Sequence, residues 1–213
     1  VLLVLLLALY SAVAIMLMMG NSSIPPIAGD RTSVQTITIF GASGTAGDGI
    51  LKAALADTDI ETIHVITRRA TPRMEAGVVS GKVQMTLHTD YNNYAAVSEQ
   101  VADSDAVYWA IGISSLGVDE ETYARIHVDF PMRFVEEWTR VSSKPNTVFH
   151  YISSSDISEQ STSMWAQQKI RAEKLLFAFG SEQNLKVVAY RPDYIGPTRE
   201  EAHIGQNLVF WFF

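Results

Sequence analysis

The sequence predicts an α/β protein with a doubly wound parallel sheet, a Rossmann fold, preceded by an N-terminal transmembrane helix. Three observations support this prediction: apolar strand-like runs alternate with helical patterns over residues 34–190, a glycine-rich turn follows the first run, and residues 1–19 carry no charge. Strands that alternate with right-handed helical crossovers form a parallel sheet, and ligands bind at the C-terminal ends of its strands.

The first strand and the turn after it are the most informative segment. A β-branched apolar run ends at Phe40, glycines stand at 41, 44 and 47, and apolar residues recur at helical spacing from Ile50. Gly41 permits a tight turn, Gly44 lets the backbone approach a pyrophosphate, and Gly47 lets helix and strand pack closely. The predicted phosphate-binding residues are Gly41, Ser43, Gly44, Thr45 and Gly47. A glycine-rich turn that serves packing alone is the alternative.

The second strand is predicted over Thr62–Thr67, and arginines follow it. A site for NAD(H) places an acidic residue near the end of this strand, where it holds the ribose 2′-hydroxyl. This chain has Arg68 and Arg69 there, with Arg73 five residues beyond Arg68. Because the planar guanidinium fork pairs with phosphate oxygens, the arginines favour NADP(H), with its 2′-phosphate, over NAD(H). The alternative is a solvated basic loop.

The chain continues to alternate between strands and helices as far as residue 190. Strands are predicted over residues 83–89, 105–111, 147–152 and 185–190, and the run at 105–111 is nearly all apolar, as in a buried parallel strand. Helices are predicted over residues 94–101, 120–141 and 164–179. Pro131 lies inside the longest helical pattern and is expected to kink or interrupt it.

Composition and charge limit the classes of function. At 213 residues and 47% apolar content, the chain is long enough for one globular domain with a substantial core. The net charge of -7 argues against a nucleic-acid partner. The chain has no cysteine, which excludes disulfides and thiolate metal sites, and its five histidines show no metal-ligand spacing, so no metal site is predicted.

Both ends of the chain are strongly apolar. Residues 1–20 are predicted to be a membrane anchor, because residues 1–19 are uncharged and long enough to span a bilayer. Residues 21–32 are then predicted to be a linker. The linker leads to an NAD(P)-binding Rossmann domain at 33–213, which is expected in the cytosol. A cleaved signal and a helix of a soluble cytoplasmic protein are the alternatives. Residues 207–213 begin a second hydrophobic segment, or belong to a core helix or a substrate-pocket wall.

Six motifs follow one another along the strands: GASGTAG, Asp90-Tyr91, Ala110-Ile111-Gly112, Ser153-Ser154-Ser155, Lys169 and YRPDYIGP. Over residues 34–198 this order resembles the short-chain dehydrogenase/reductase superfamily, in particular its atypical and extended members related to NAD(P)-dependent epimerases and NmrA-like proteins. The resemblance implies that Asp90 approaches the adenine and that Gly112 lines the cofactor trough. It also implies that the segment from Pro192 to Ile195 passes the nicotinamide.

The resemblance further implies a catalytic set, and this chain departs from it at one position. Such families carry a serine after the fifth strand and a Tyr-x-x-x-Lys helix, so Ser153 or Ser154 would orient a carbonyl and Lys169 would bind the nicotinamide ribose. Four residues before Lys169 stands Trp165, whose indole cannot transfer the proton as a tyrosine does. A core aromatic at 165 and a solvated lysine at 169 are the alternatives.

Two functions are expected from these observations. The first is an NADP(H)-binding oxidoreductase or epimerase-like protein that acts on a small-molecule substrate. The second is a non-catalytic dinucleotide sensor or scaffold of the NmrA-like kind, in which cofactor occupancy alters a partner surface. A third reading is a truncated or degenerate product that folds poorly.

Overall fold

The computed structural model describes residues 34–193, 195 and 196. The predicted anchor at residues 1–20, the linker at 21–32 and the apolar residues 207–213 lie outside the described residues. Within the part of the chain that is described, no helix combines the length and the apolar character needed to cross a membrane.

Strands and helices alternate through the described residues, as predicted. The strands are β1 (Thr36–Phe40), β2 (Thr62–Thr67), β3 (Val83–Leu87), β4 (Ala106–Trp109), β5 (Val148–Ile152) and β6 (Lys186–Tyr190). The helices are α1 (Thr45–Ala56), α2 (Pro72–Val79), α3 (Ala95–Ser98), α4 (Glu120–Ala124), α5 (Phe130–Val141) and α6 (Met164–Gln183), with a π-helical turn at Arg125–Asp129 between α4 and α5.

The six strands form one parallel sheet in the order β3-β2-β1-β4-β5-β6. Phe40 at the end of β1 lies opposite Ile66 of β2 on one side and Trp109 of β4 on the other, so the C-terminal ends of these strands meet at one edge. The strand order reverses at β1, which makes the space between β1 and β4 the switch point where ligands bind in such sheets. The predicted parallel α/β sheet is confirmed.

Each face of the sheet is covered by its own hydrophobic cluster. Leu51 of α1 and Met74 of α2 pack on one face, against side chains of β1, β2 and β3. The other face carries a larger aromatic cluster in which the rings of Phe40 and Phe134 lie 4.5 Å apart, with Trp138 stacked on Phe134. Burial of one large apolar side chain contributes about 1.5–3 kcal/mol, so these clusters hold the strand ends in place.

Helix α2 is an element that the sequence reading missed. Its start carries two ordinary signals: the Thr71 side chain caps the helix by accepting from the Met74 amide, and Pro72 occupies the first turn. The helix is only eight residues long, and of its larger apolar side chains Met74 is buried whereas Val78 and Val79 are exposed, so the sequence shows no clear apolar face. It follows directly on the arginine loop and therefore fixes where that loop ends.

Pro131 does not interrupt the predicted helix; the chain stays helical from Glu120 to Val141. Proline has no N–H to give the carbonyl four residues back, which is that of His127. The backbone passes through the π-helical turn just before Pro131, where the Phe130 amide bonds to the Arg125 carbonyl. The hydroxyl of Tyr151 on β5 donates to the freed His127 carbonyl at 3.0 Å. The expected break is thus absorbed by a widened turn and a side-chain hydrogen bond.

Candidate functional site

A cleft of about 350 Å³ opens at the C-terminal edge of the sheet, where β1, β2 and β4 end. Its lining residues are Gly41, Ser43, Gly44, Thr67, Arg68, Arg69, Tyr91, Ala110, Ile111, Gly112, Ile113, Ile126 and Phe130. Of the predicted site residues, the cleft therefore brings together Gly41, Ser43, Gly44, Arg68, Arg69 and Gly112. The cleft coincides with the switch point of the sheet.

Each of the three glycine positions in the turn is occupied by glycine for a different structural reason. Gly41 has φ +79°, and a Cβ there would lie 2.6 Å from the carbonyl group of Ala110, so only glycine fits. A Cβ on Gly47 would lie 2.2 Å from the Gly41 carbonyl oxygen, which shows how closely α1 packs on the turn. At Gly44 the nearest atom, the same oxygen, would be 3.4 Å away. The fold therefore tolerates a side chain at Gly44, and glycine there keeps the first turn of α1 accessible.

Arg68 and Arg69 are exposed and line the cleft directly after β2. The Thr67 hydroxyl donates to the Arg69 carbonyl at 2.8 Å and so shapes the turn that presents them. Arg73 lies elsewhere: its Nε donates to the Asp48 carboxylate at 2.6 Å, one turn into α1. The predicted phosphate-binding guanidinium groups on the cleft are therefore those of Arg68 and Arg69.

The loop after β3 contributes an aromatic residue where the resemblance implied an acid. The Asp90 carboxylate accepts from the Asn92 amide at 3.1 Å, and Asp90 is not among the residues that line the cleft. Its neighbour Tyr91 does line the cleft, with its ring stacked on Phe130 at 5.6 Å. Burial raises the pKa of Tyr91, with Arg68 acting in the opposite direction. In the sequence, the feature that could have predicted this wall of the cleft is Tyr91, the aromatic residue directly after Asp90.

His127 is a buried residue of the site that sequence reasoning missed. Its Nε2 accepts from the Ile113 amide at 3.2 Å, and its ring fills the space in which a Cβ on Gly112 would sit, 2.8 Å from Cε1. Burial, and secondarily the charge of Lys169, lowers the pKa of His127 to about 3, so the ring is neutral near pH 7. Gly112 is thus a glycine because His127 packs against it. One isolated histidine gives no sequence pattern from which this contact could be predicted.

The predicted catalytic residues lie beside the cleft and are not part of its lining. Ser153 is buried at the end of β5, and its Oγ has no hydrogen-bond partner among the described residues, whereas Ser154 is half-buried. Lys169 is also buried; its Nζ donates to the Ile152 carbonyl at 2.9 Å. Burial lowers the pKa of Lys169 to about 8, against the opposing effect of Glu173. Lys169 is therefore not the solvated lysine of the alternative reading.

Trp165 and Tyr151 are the two aromatic residues of interest near Lys169 in the described part of the chain. Trp165 is half-buried in the first turn of α6, one turn before Lys169. Tyr151 is fully buried under the Lys169 ammonium, which lies 4.9 Å from its ring centre. Its hydroxyl is used by the His127 carbonyl, and burial raises the pKa of this phenol well above its usual value. The buried phenol near Lys169 is thus a structural donor.

The chain leaving β6 runs beside the serine segment. The Pro192 carbonyl accepts from the Ser155 amide at 3.1 Å, and neither Pro192 nor the partly exposed Ile195 lines the cleft. Among the described residues, no group of three or more histidine, aspartate or glutamate side chains is placed to hold a metal ion.

Similarities to known proteins agree with this geometry. Residues 37–212 match the model of the NAD dependent epimerase/dehydratase family. A curated relative, leucinostatins biosynthesis cluster protein T from Purpureocillium lilacinum, is 24% identical over 140 residues, which are 65% of this chain and 50% of that protein. This chain therefore spans about half the length of that relative.

Two solved structures show the same fold. UDP-glucuronic acid 4-epimerase from Bacillus cereus, in complex with NAD, has 18% identity and a TM-score of 0.61 over 74% of this chain and 56% of that chain. A short chain dehydrogenase from Burkholderia cenocepacia, in complex with NADP, has 15% identity and a TM-score of 0.62 over 79% of this chain and 77% of that chain. At these identities the likeness is one of fold.

Proposed function

The chain belongs to the NAD dependent epimerase/dehydratase family, and on this premise we propose that it binds NADP(H) in the cleft and acts as an oxidoreductase or epimerase-like enzyme of the short-chain dehydrogenase/reductase type. The observation that carries the proposal is the convergence of the glycine turn and the two arginines on one cleft at the switch point of the sheet. Its substrate is a small molecule with a carbonyl or a carbinol group.

The residues around the cleft fit a dinucleotide. Gly44 precedes the first turn of α1, whose amides and positive dipole end attract a phosphate, and it leaves the space in front of them clear of a side chain. The stacked rings of Tyr91 and Phe130 offer an apolar wall for a flat base. Arg68 and Arg69 supply positive charge where an NAD-specific site carries an acid, which supports the preference for a 2′-phosphate.

The chemistry is proposed to use Lys169 and the serine segment. The nicotinamide ring of the bound cofactor supplies or accepts a hydride. Ser153, whose buried hydroxyl has no partner among the described residues, is suited to orient a substrate carbonyl. Lys169 holds the ribose, and because its pKa is lowered to about 8 it also releases a proton near neutral pH, a task for which Trp165 has no suitable group.

A non-catalytic sensor is the second candidate, and Trp165 together with the engaged Tyr151 hydroxyl favours it. Neither Trp165 nor the engaged hydroxyl of Tyr151 can transfer a proton beside Lys169, while the cleft itself is intact. In this reading, cofactor occupancy changes a surface that a partner recognises. The two candidates share the cofactor and differ only in turnover.

The deciding experiment follows NADPH oxidation with a panel of aldehydes, ketones and nucleotide sugars. Turnover by the unmutated chain that Lys169→Ala abolishes supports the enzyme. Trp165→Tyr places a phenol one turn before Lys169 and is expected to raise the rate, because general acid catalysis contributes about 10²- to 10⁴-fold, whereas the control Trp165→Phe is not expected to raise it. If NADPH binds and neither the unmutated chain nor Trp165→Tyr reduces any substrate, the sensor is the better reading.

Membrane attachment is a further part of the proposal. Residues 1–20 are proposed to anchor the protein with the Rossmann domain in the cytosol, supported by the absence of any charge in residues 1–19. A soluble cytoplasmic protein is the alternative location.

A further inference from the structure

The ion pair between Asp48 and Arg73 is the feature of the cleft region that the proposed function does not use. Asp48 directly follows Gly47 in the first turns of α1, and its side chain is only 2% exposed. Arg73, in the first turn of α2, contacts both carboxylate oxygens: Nε lies 2.6 Å from Oδ1 and Nη2 lies 3.3 Å from Oδ2. A buried, two-point contact of this kind is much less screened by solvent than a surface pair.

The position of Asp48 creates an electrostatic problem for a phosphate ligand. Its amide donates to the Gly44 carbonyl at 2.8 Å, so Asp48 lies one helical turn from the residue that caps α1 beside the cleft. A negative side chain near a helix N-terminus is favourable to the helix, but it uses the same positive dipole end that a phosphate would use. A carboxylate there, without a counter-charge, would repel a bound pyrophosphate.

We propose that Arg73 is a positioning residue for dinucleotide binding, which acts by neutralising Asp48 beside the phosphate cradle and touches no part of the cofactor itself. This inference rests on the proposed function, since it requires a dinucleotide in the cleft.

This role differs from that of the cleft arginines in a measurable way. Arg68 and Arg69 are proposed to recognise the 2′-phosphate, so their loss should weaken binding of NADP⁺ and leave NAD⁺ unaffected. The pyrophosphate is common to both cofactors. Loss of Arg73 should therefore weaken binding of NADP⁺ and NAD⁺ by the same factor.

The test is calorimetric titration of the 213-residue chain with NADP⁺ and NAD⁺, using Arg73→Gln, Asp48→Asn and the double variant. Arg73→Gln is expected to bind both cofactors roughly tenfold more weakly, within the range of helix-terminus charge effects, and the deficit should shrink as salt is raised. Asp48→Asn should bind at least as tightly as the unmutated chain. The double variant should recover most of the lost affinity because it removes the negative charge of the carboxylate together with the positive charge of the guanidinium. Arg140→Gln is the control, because it removes the same charge from an exposed arginine that does not line the cleft. Arg140 belongs to α5, which contributes only Phe130 to the cleft lining.

Two results would overturn the inference while leaving the proposed function standing. If the double variant binds as weakly as Arg73→Gln, Arg73 contacts the cofactor or acts through packing alone. If Arg73→Gln affects only NADP⁺, it belongs with the 2′-phosphate residues. Thermal unfolding of each variant separates a folding defect from a binding defect. Because the double variant lacks both charges of the pair, it remains informative where Arg73→Gln unfolds. If the unmutated chain binds neither cofactor, both proposals fall.

Discussion

Substituting valine for Gly44 should abolish dinucleotide binding and leave the fold intact. Gly44 has φ -101° and ψ 167°, an extended conformation that valine adopts readily, and its Cβ would be 3.4 Å from the nearest atom. The stability change is therefore expected to stay near the ~0.5 kcal/mol of an ordinary surface substitution. The added methyl groups would occupy the approach to the first turn of α1, and a pyrophosphate excluded from it should cost well over about a hundredfold in affinity.

Gly47→Ala is the matched control with the opposite outcome. A Cβ at Gly47 would lie 2.2 Å from the Gly41 carbonyl oxygen, which is backbone and cannot rotate away. Overpacking of this kind costs about 1–3 kcal/mol, or about 2–12 °C in melting temperature for a domain of this size. Circular dichroism melting and titration with NADPH measure both effects. Retained binding in Gly44→Val, or equal destabilisation of both variants, would refute the reasoning.

The remaining predictions concern specificity, pH and membrane attachment. Arg68→Ala combined with Arg69→Ala should lower NADPH affinity by about tenfold per arginine and leave NADH affinity unchanged; equal affinity of the unmutated chain for both cofactors would contradict this. The pKa of His127 in the folded state is about 3, below the usual 6.5, so the unfolded chain takes up this proton first. The stabilising contribution of neutral His127 should be complete above pH 6.5 and should fall by up to ~1.4 kcal/mol per pH unit towards pH 3. Urea unfolding of the unmutated chain and of His127→Gln measures this contribution. The difference in unfolding free energy between the two should fall over the same pH range. Residues 1–20 should keep the full chain in membranes during carbonate extraction, and its release into the soluble fraction would exclude anchoring.

Most of the fold followed from the sequence because a parallel sheet leaves strong local signals. Its strands are short apolar runs, and the turn after β1 needs glycine at two positions for steric reasons that are visible in the chain: Gly41 for its positive φ and Gly47 for close packing. Helix α2 was missed because its eight residues make only about two turns, too few to establish a helical period. Pro131 was expected to disturb the helix, but the compensating partner, Tyr151, is distant in sequence and no local pattern reveals it.

The site was less predictable than the fold, because its details depend on contacts between separate elements. The lining residues Arg68 and Arg69 follow a strand, and their position could be counted from its end. The ion pair of Arg73 could not be predicted by counting from a strand end, since its partner Asp48 lies 25 residues away on another helix. The packing of His127 on Gly112 likewise joins a helix to a loop, and only the folded chain brings the two together.

The hydrogen bond between Tyr151 and the His127 carbonyl makes two distant positions interdependent. While a proline occupies position 131, that residue offers the carbonyl no amide, and Tyr151→Phe would remove the side-chain hydrogen bond at a cost of about 0.5–1.5 kcal/mol. If alanine replaced Pro131, the helix could satisfy that carbonyl with its own amide, and the tyrosine hydroxyl would become dispensable. A cycle of single and double substitutions at these positions should therefore be non-additive. Loss of the tyrosine hydroxyl at position 151 should therefore be tolerated only when the proline at position 131 is also replaced. This constraint links the middle of a helix to the strand beneath Lys169.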